Sequence, residues 1–263
     1  MLFVILQQEK CVMRYFLKLA YNGSKFHGWQ IQKNAKTVQG EINKALTHLT
    51  GNEVYVVGAG RTDAGVHAKC MYCHFDVPAI LENPGELLYK LNRYFDQGIV
   101  FYELLKVIQD AHARYSAISR EYRYYVHTLK DPFKIYFSYW VRQDLNIEKM
   151  NLAAELIKRQ KDFESFCAAH SQNKHYLCDI YESRWEVTND GGYVFIIRAN
   201  RFLRSMVRIL VGTLIDIGLG KLTIEDLEII FEKKDRKLAS ATAPPHALFL
   251  TDVQYPGEIF IDK

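Results

Sequence analysis

Short segments in which apolar and polar residues alternate recur along the whole chain, and this two-residue spacing is typical of half-buried β-strands. Aromatic and β-branched residues are frequent in these segments, as expected for a pleated surface packed on a core. The pattern predicts strands at 15–21, 53–57, 69–77, 99–107, 121–128, 184–187, 193–197 and 248–253. The turn sequence Asn189-Asp190-Gly191-Gly192 lies between two of them and predicts a β-hairpin.

Other segments repeat apolar residues every three or four positions, which is the spacing of amphipathic helices. Thr37 is a suitable N-cap for the first of these helices, and Gly51 is a suitable end for it. The spacing predicts helices at 38–49, 86–95, 150–157, 202–214 and 223–231. Strands and helices alternate in two similar passes without a low-complexity linker. The chain is therefore expected to adopt an α/β (α+β) fold in which two subdomains share one continuous sheet.

The composition narrows the class of protein without naming a partner. The 263 residues include 34 Lys+Arg and 30 Asp+Glu, so the formal net charge is only +4, and a site for a polyanion requires local clustering of cations. No apolar run approaches the length of a membrane-spanning helix. The five cysteines are odd in number and widely spaced, which favours reduced thiols in a cytoplasmic protein. Because the regular pattern begins at Met13, residues 1–12 are interpreted as a possible extension.

The segment with the most chemical content is a glycine-rich turn, Gly58 to His67, which directly follows a short apolar strand. Glycines allow the backbone to turn sharply and to approach a ligand closely. The turn presents Arg61 and Asp63, one cation and one carboxylate two residues apart. A structural alternative is a tight turn in which the Asp63 side chain only caps its own backbone.

The sequence disfavours three further interpretations: a dinucleotide site, a haem-attachment site and a zinc site. A dinucleotide site at Gly58-x-Gly60 would need a third glycine where Asp63 stands, and a helix after the turn where the residues alternate like a strand. The haem-attachment pattern at Cys70 to His74 lies in a predicted strand, so these thiols are expected to pack within the sheet. Four residues could supply zinc ligands, but their spacing is not a standard one, and no metal is expected; they are Cys167, His170, His175 and Cys178.

Several motifs in the same order resemble those of the tRNA pseudouridine synthase A family. Residues 59–67 resemble the signature loop of that family, in which the catalytic aspartate lies. Residues 21–30 are similar to its opening motif, and residues 112–117 are similar to its central RNA-contacting stretch. Met206-Val207-Arg208, followed by Gly212, is similar to its late helix. The resemblance extends from about residue 15 to residue 255.

This resemblance implies an isomerase that converts uridine to pseudouridine at positions 38, 39 or 40 of the tRNA anticodon stem-loop, without a cofactor. It also implies two related ferredoxin-like subdomains, at 13–111 and 112–255, with a central RNA-binding cleft between them. Each tRNA would be held across both subunits of a homodimer. A second hypothesis is a non-catalytic RNA-binding protein of the same fold, which would be expected to have lost Asp63, Tyr122 or Arg208; all three are present.

The resemblance assigns Asp63 as the catalytic carboxylate, acting either as a nucleophile or as a base; the sequence leaves this choice open. Arg208 would be its fixed cationic partner, and Tyr122 would be the active-site tyrosine. Arg61 would support base flipping, in which the uridine leaves its stack to reach a buried carboxylate. No metal takes part in this scheme.

Further residues are expected to contact RNA. The spacing of Arg201, Arg204 and Arg208 predicts a basic stripe on one face of the helix at 202–214, although a solvated helix face has the same pattern. Arg120 and Arg123 alternate with tyrosines, which favours an RNA-binding groove. The predicted RNA contacts are His112, Arg114, Tyr115, His170, Lys174 and Arg204.

Overall fold

The computed structural model describes residues 12–169 and 174–261. Within these ranges the chain forms a mixed sheet with helices packed against it, which confirms the predicted α/β (α+β) class. The strands are β1 (Met13–Tyr21), β2 (Val57–Gly58), β3 (His67–Val77), β4 (Ile99–Lys106), β5 (Ser119–His127), β6 (Tyr139–Trp140), β7 (Ile180–Val187), β8 (Tyr193–Ala199) and β9 (Leu248–Gln254). The helices are α1 (Val38–Thr50), α2 (Pro84–Tyr94), α3 (Ile147–Arg159), α4 (Met206–Gly218) and α5 (Ile224–Lys233).

The strands of both halves of the chain belong to one sheet, in the order β4-β1-β3-β9-β5-β8-β7, with β2 beside β3 and β6 beside β5. The last strand, β9, joins the halves because it pairs in parallel with β3 and antiparallel with β5. The continuous mixed sheet expected from the sequence is therefore present. The division into two ferredoxin-like subdomains near residue 111 remains a prediction.

Local signals explain the boundaries of α1 and of the hairpin β7–β8. The Thr37 side chain accepts a hydrogen bond from the Gly40 N–H, and Gly51 ends α1 in the left-handed conformation, with φ of 69°. The predicted hairpin is present as β7 and β8, closed by a hydrogen bond from the Thr188 N–H to the Gly192 carbonyl. None of the helices in the described ranges is long and apolar enough to span a membrane.

Two predicted elements differ from those observed. Residues 53–56 do not form a strand, because side chains of α1 bind their backbone: the Val54 N–H donates to Thr47 and the Val56 N–H donates to Asn43. The late helix begins at Met206 instead of residue 202, because Ser205 adopts a left-handed conformation, with φ of 58°. The second difference changes the interpretation of the site.

Candidate active site

Asp63 lies in the turn between β2 and β3. Its backbone carbonyl accepts the Val66 N–H at 3.1 Å, and Gly65 closes the turn with φ of 81°. Its carboxylate does not serve as a cap for this turn. Oδ2 accepts hydrogen bonds from Ser205 and Arg208, which lie 142 and 145 positions further along the chain. The structural alternative proposed from sequence is therefore wrong for the side chain.

The residues of the opening motif support the Asp63 turn from one side. The Tyr21 hydroxyl lies 2.8 Å from the Thr62 hydroxyl, and the backbone N–H of Trp29 donates to the Thr62 carbonyl at 3.2 Å. Gly28 has φ of 86°, and a Cβ there would lie 2.6 Å from the same carbonyl oxygen. This close backbone approach explains why two distant motifs act as one structural unit, which holds the residue next to Asp63.

Arg208 holds the carboxylate from the other side. Its Nη1 donates to Asp63 Oδ2 at 2.8 Å, and its Nε donates to the Ala243 carbonyl, also at 2.8 Å. The two side chains are 16% and 27% exposed, so the pair is largely shielded but open to a ligand. The guanidinium is held at two points, which orients its charge toward the carboxylate.

The Ala243 segment can approach α4 only because of Gly212. A Cβ at Gly212 would lie 2.0 Å from the Ala241 carbonyl oxygen. The backbone of the same segment also donates from the Ala243 N–H to the Arg208 carbonyl at 3.0 Å. Gly212 therefore contributes to the site through the segment at 241–243, whose Ala243 carbonyl binds Arg208.

Tyr122 lies on β5, between β8 and β9, and its side chain is buried. Its ring meets Phe202 edge-on, with centroids 5.1 Å apart. Burial raises the pKa of the Tyr122 hydroxyl to about 12, opposed by the Arg120 charge and reinforced by the nearby Asp63 charge. The hydroxyl is therefore protonated at neutral pH and can donate a hydrogen bond.

Arg120 does not lie on an RNA-binding surface, so that interpretation is wrong. Its side chain is buried, and it donates to backbone carbonyls instead of carboxylates. Nη1 donates to Ala117 and Asn200 at 3.0 and 2.7 Å, while Nη2 donates to Ala59 at 3.1 Å and also to Arg114. Arg120 therefore joins the loop before Asp63, the turn at 112–117 and the loop after β8. Burial lowers its pKa from the usual arginine value.

The turn at 112–117 presents the expected aromatic and cationic residues. The rings of His112 and Tyr115 lie 4.4 Å apart, and the Arg114 guanidinium lies 5.6 Å from the Tyr115 ring centroid. Tyr115 is 76% exposed, so its face is available for stacking. Beneath it, the buried His74 accepts the Ala113 N–H at 3.1 Å. Arg120 connects this turn to the loop before Asp63, because its Nη2 donates to the carbonyls of both Arg114 and Ala59.

The predicted basic stripe on one helix face is wrong. Arg201 and Arg204 precede α4, and Ser205 separates them from the helix that carries Arg208. The Arg204 side chain is exposed, and its carbonyl accepts the Ala168 N–H at 3.0 Å. Arg201 Nη1 lies 2.9 Å from the His175 ring. The segment before α4 thus contacts Ala168 and His175.

Four other residues were predicted to contact RNA, and the structure describes three of them. Arg61 is exposed beside Asp63, and Lys174 is exposed next to His175. His170 lies outside the described residues. Arg123 is half-exposed and donates to Glu121 at 2.9 Å, so one of its donors is already used within the protein.

The cysteine motifs show no metal arrangement among the described residues. Cys70 and Cys73 are buried within β3, as predicted. Cys167 and Cys178 are also buried. Within 12–169 and 174–261, no three His, Cys, Asp or Glu side chains are grouped so that they could hold a metal ion. The zinc hypothesis also involves His170, so it is not tested in full.

Sequence comparisons with known proteins show which family this chain belongs to. A sequence model of the tRNA pseudouridine synthase family matches residues 19–116 and 153–256. The chain is 48% identical over 252 residues to the tRNA pseudouridine synthase A of Parabacteroides distasonis, covering 94% of this chain and 98% of that protein. The chain belongs to the tRNA pseudouridine synthase A family. The resemblance of its motifs is thereby confirmed.

Further relatives agree over nearly their whole length. The tRNA pseudouridine synthase A of Bacteroides fragilis is 44% identical over 249 residues, covering 95% of this chain and 99% of that protein. The enzyme of the same name from Bacillus subtilis is 40% identical over 248 residues, covering 92% and 99%. Family membership confirms the expected enzyme class, an isomerase.

Sequence reasoning missed two residues of this site. Ser205 was not singled out, although a serine directly before a helical pattern is a common N-cap and could have marked the true start of α4. The charge of Arg120 is visible in the sequence, but two of the backbone carbonyls that it binds, those of Ala59 and Asn200, lie 61 and 80 positions away. No local pattern could have indicated those partners.

Proposed function

We propose that this chain isomerises uridine to pseudouridine in tRNA, with Asp63 as the reacting carboxylate. The observation that carries the proposal is the contact between Asp63 Oδ2 and Arg208 Nη1 at 2.8 Å, in a site only partly open to solvent. The guanidinium stabilises the negative charge that a nucleophile or a base requires. Family membership supports the choice of reaction and of tRNA as substrate.

The reaction is an isomerisation, so no external oxidant, reductant or group donor is needed. The bond between ribose C1′ and uracil N1 breaks, the base rotates, and a bond forms between C1′ and C5. The proton on C5 is then lost and N1 carries a proton, which leaves the composition unchanged. Asp63 acts by attack or by proton abstraction. Tyr122, with its protonated hydroxyl and buried ring, is proposed to pack on the detached base and to donate a hydrogen bond.

The target uridine has to leave the helical stack to reach Asp63. Arg61 is proposed to occupy the space left by the flipped base, since it is exposed two residues from the carboxylate. The basic and aromatic residues predicted from the sequence are proposed to bind the RNA backbone and its bases. They are His112, Arg114, Tyr115, His170, Lys174 and Arg204.

The substrate region is proposed to be the anticodon stem-loop at positions 38, 39 and 40, on the basis of the motif resemblance. Unmodified tRNA transcripts that carry uridine at only one of these positions would test this assignment. Conversion at one or more of them is expected. Conversion elsewhere in the tRNA, with none at these positions, would contradict the proposed substrate region but not the reaction.

We further propose a cytoplasmic homodimer. The segment 129–137 supports a partner because several of its large apolar side chains are open to solvent: Leu129, Phe133 and Tyr136 are 82%, 89% and 65% exposed. Light scattering should give twice the chain mass for the wild type and a lower mass for Phe133→Ser. A monomeric wild type at micromolar concentration would contradict the dimer.

The proposed cytoplasmic location is supported by the cysteines. Buried Cys70, Cys73 and Cys178 are consistent with a reducing compartment.

Replacing Asp63 by Asn tests the reaction directly, because the two side chains have the same shape. Asp63→Asn should reduce pseudouridine formation by at least about 10³-fold while tRNA affinity changes little. Asp144→Asn, at an exposed position, is the matched control and should behave like the wild type. Full activity of Asp63→Asn would overturn the proposed role. A wild type that binds tRNA but forms no pseudouridine would favour the non-catalytic alternative.

A further inference from the structure

Ser205 is the second residue that binds the Asp63 carboxylate. Its hydroxyl donates to Asp63 Oδ2 at 2.9 Å, and the same oxygen accepts Arg208 Nη1 at 2.8 Å. In the described ranges, no residue donates a hydrogen bond to Oδ1. The two carboxylate oxygens therefore have different environments, and Oδ2 is the one that residues of the described ranges bind.

The backbone at Ser205 shows that this contact is unusual for its position. Ser205 is the N-cap of α4, but it has φ of 58° and ψ of 7°, and its side chain makes no capping hydrogen bond. An N-cap serine normally has an extended backbone and accepts an N–H of the first turn. The left-handed conformation is unfavourable for residues with a Cβ, and such positions are frequent at functional sites. At Ser205 the hydroxyl is directed to Asp63 instead of the helix.

The start of α4 is an environment that favours the negative charge of Asp63. The first turn of α4 contains no acidic residue, and Arg208 is its third residue. A negative charge is stabilised near a helix N-terminus, and a cation at the same place stabilises it further. Asp63 supplies that charge from the turn between β2 and β3. Ser205 connects the carboxylate to the N-cap of the helix, and Arg208 connects it to the first turn.

We propose that Ser205 is a positioning residue for Asp63. It fixes Oδ2 together with Arg208, so that Oδ1 is the oxygen presented to the ribose or the base. This inference rests on the proposed function, because it requires Asp63 to be the reacting group. It adds that the orientation of the carboxylate, and not only its charge, is set by the segment before α4.

Three substitutions separate the hydroxyl from the backbone conformation. Ser205→Ala removes the donor and keeps the Cβ, while Ser205→Gly removes the donor and relieves the left-handed strain. Ser205→Asn retains a donor and tolerates this conformation. The measurements are the single-turnover rate with saturating enzyme, the Kd for tRNA and the Tm.

Ser205→Ala and Ser205→Gly should each lower the single-turnover rate by about tenfold to a hundredfold, as expected when a charge-assisted hydrogen bond is lost. The Kd for tRNA should stay within about twofold, because affinity comes mainly from phosphate contacts. The Tm of Ser205→Gly should equal or exceed that of the wild type. Ser205→Asn should recover a substantial part of the rate lost in the other two variants.

The outcomes distinguish this inference from the proposed function. If Asp63→Asn is inactive while Ser205→Ala and Ser205→Gly react at the wild-type rate, the positioning role is wrong and the function stands. If Asp63→Asn is fully active, both fail. A rate loss that follows the Tm or the Kd, or an Asn variant no faster than the Ala variant, would also overturn the positioning role.

Discussion

Arg208 and Asp63 are 145 residues apart in sequence, yet Nη1 of the arginine lies 2.8 Å from Oδ2 of the carboxylate. The arginine is itself fixed by its Nε contact with the Ala243 carbonyl. The carboxylate loop belongs to the first half of the chain and the arginine helix to the second, and β9 joins the two halves of the sheet by pairing with β3 and β5. The site is therefore assembled from both halves of the chain, and several of its supports can be tested separately.

Arg208→Lys should reduce turnover more than tRNA affinity. Lysine keeps the positive charge, but a single ammonium cannot reproduce the planar guanidinium that contacts both Asp63 and Ala243. We expect kcat to fall about tenfold to a hundredfold, which corresponds to the loss of one charge-assisted hydrogen bond. Single-turnover rates and filter binding would measure the two effects. A Kd that rises while the saturated rate is unchanged would make Arg208 an RNA-binding residue.

Tyr122→Phe should lower activity without a comparable loss of stability. The substitution keeps the ring contact with Phe202 but removes a hydroxyl whose pKa is about 12. We expect kcat to fall by roughly 10²-fold, within the range for loss of a proton donor. Tyr124→Phe is the matched comparison, because its hydroxyl donates to the Pro244 carbonyl. That variant should lose about 1 kcal/mol of stability and keep a nearly normal rate. Equal rates for Tyr122→Phe and the wild type would contradict the assignment.

Arg120→Met should destabilise the protein and weaken catalysis together. The variant leaves buried or partly buried carbonyls of three loops without their donor, and we expect a loss of roughly 2 to 4 kcal/mol in unfolding free energy. Arg123→Met is the control, since Arg123 is half-exposed and its pair with Glu121 should contribute less than about 1 kcal/mol. Urea denaturation would measure both. Similar losses for the two variants would show that Arg120 does not organise the loops.

Gly212→Ala should displace the segment that holds Arg208. The new Cβ would lie 2.0 Å from the Ala241 carbonyl, so the helix or the segment has to shift. We expect a loss of about 1 to 3 kcal/mol in stability and a lower kcat. Gly257→Ala is the matched control, because a Cβ there meets no atom within 4 Å. If both variants melt at the wild-type temperature, the close approach at Gly212 is not needed for folding.

His74 should make stability depend on pH below neutrality. Burial lowers the pKa of His74 to about 4, with further lowering by Arg14 and His112 and an opposing effect of Asp76. An unfolded histidine binds a proton below about pH 6.5, whereas the folded one does not until about pH 4. The stabilising contribution is therefore present above pH 6.5 and is lost as pH falls toward 4.

Replacing His74 by Gln isolates this effect. Between pH 7 and 5 the wild type should lose roughly 1 to 2 kcal/mol of unfolding free energy relative to His74→Gln, after allowance for solvent screening. Chemical denaturation at the two pH values would give the difference. A stability difference that does not vary with pH would show that His74 titrates normally in the folded protein.

Elements that end in local caps and turns agree with the prediction, whereas two others do not. The helix after Thr37 and the hairpin around Asn189 to Gly192 were predicted correctly, because their caps and turns depend on neighbouring residues. The strand predicted at 53–57 and the helix start at 202 were wrong. In the first case Thr47 and Asn43 bind the backbone, and in the second the Ser205 conformation coincides with its bond to Asp63.

The sequence by itself determined the fold class, the family and the identity of the candidate carboxylate, arginine and tyrosine. These follow from local periodicity and from motifs whose members are close together in the chain. Only the tertiary structure decided that Ser205 binds Asp63, that Arg120 is buried among carbonyls, and that Arg201 and Arg204 lie outside α4. The physical reason is that a hydrogen bond depends on distance and direction in space, and no local pattern specifies which distant backbone will arrive there.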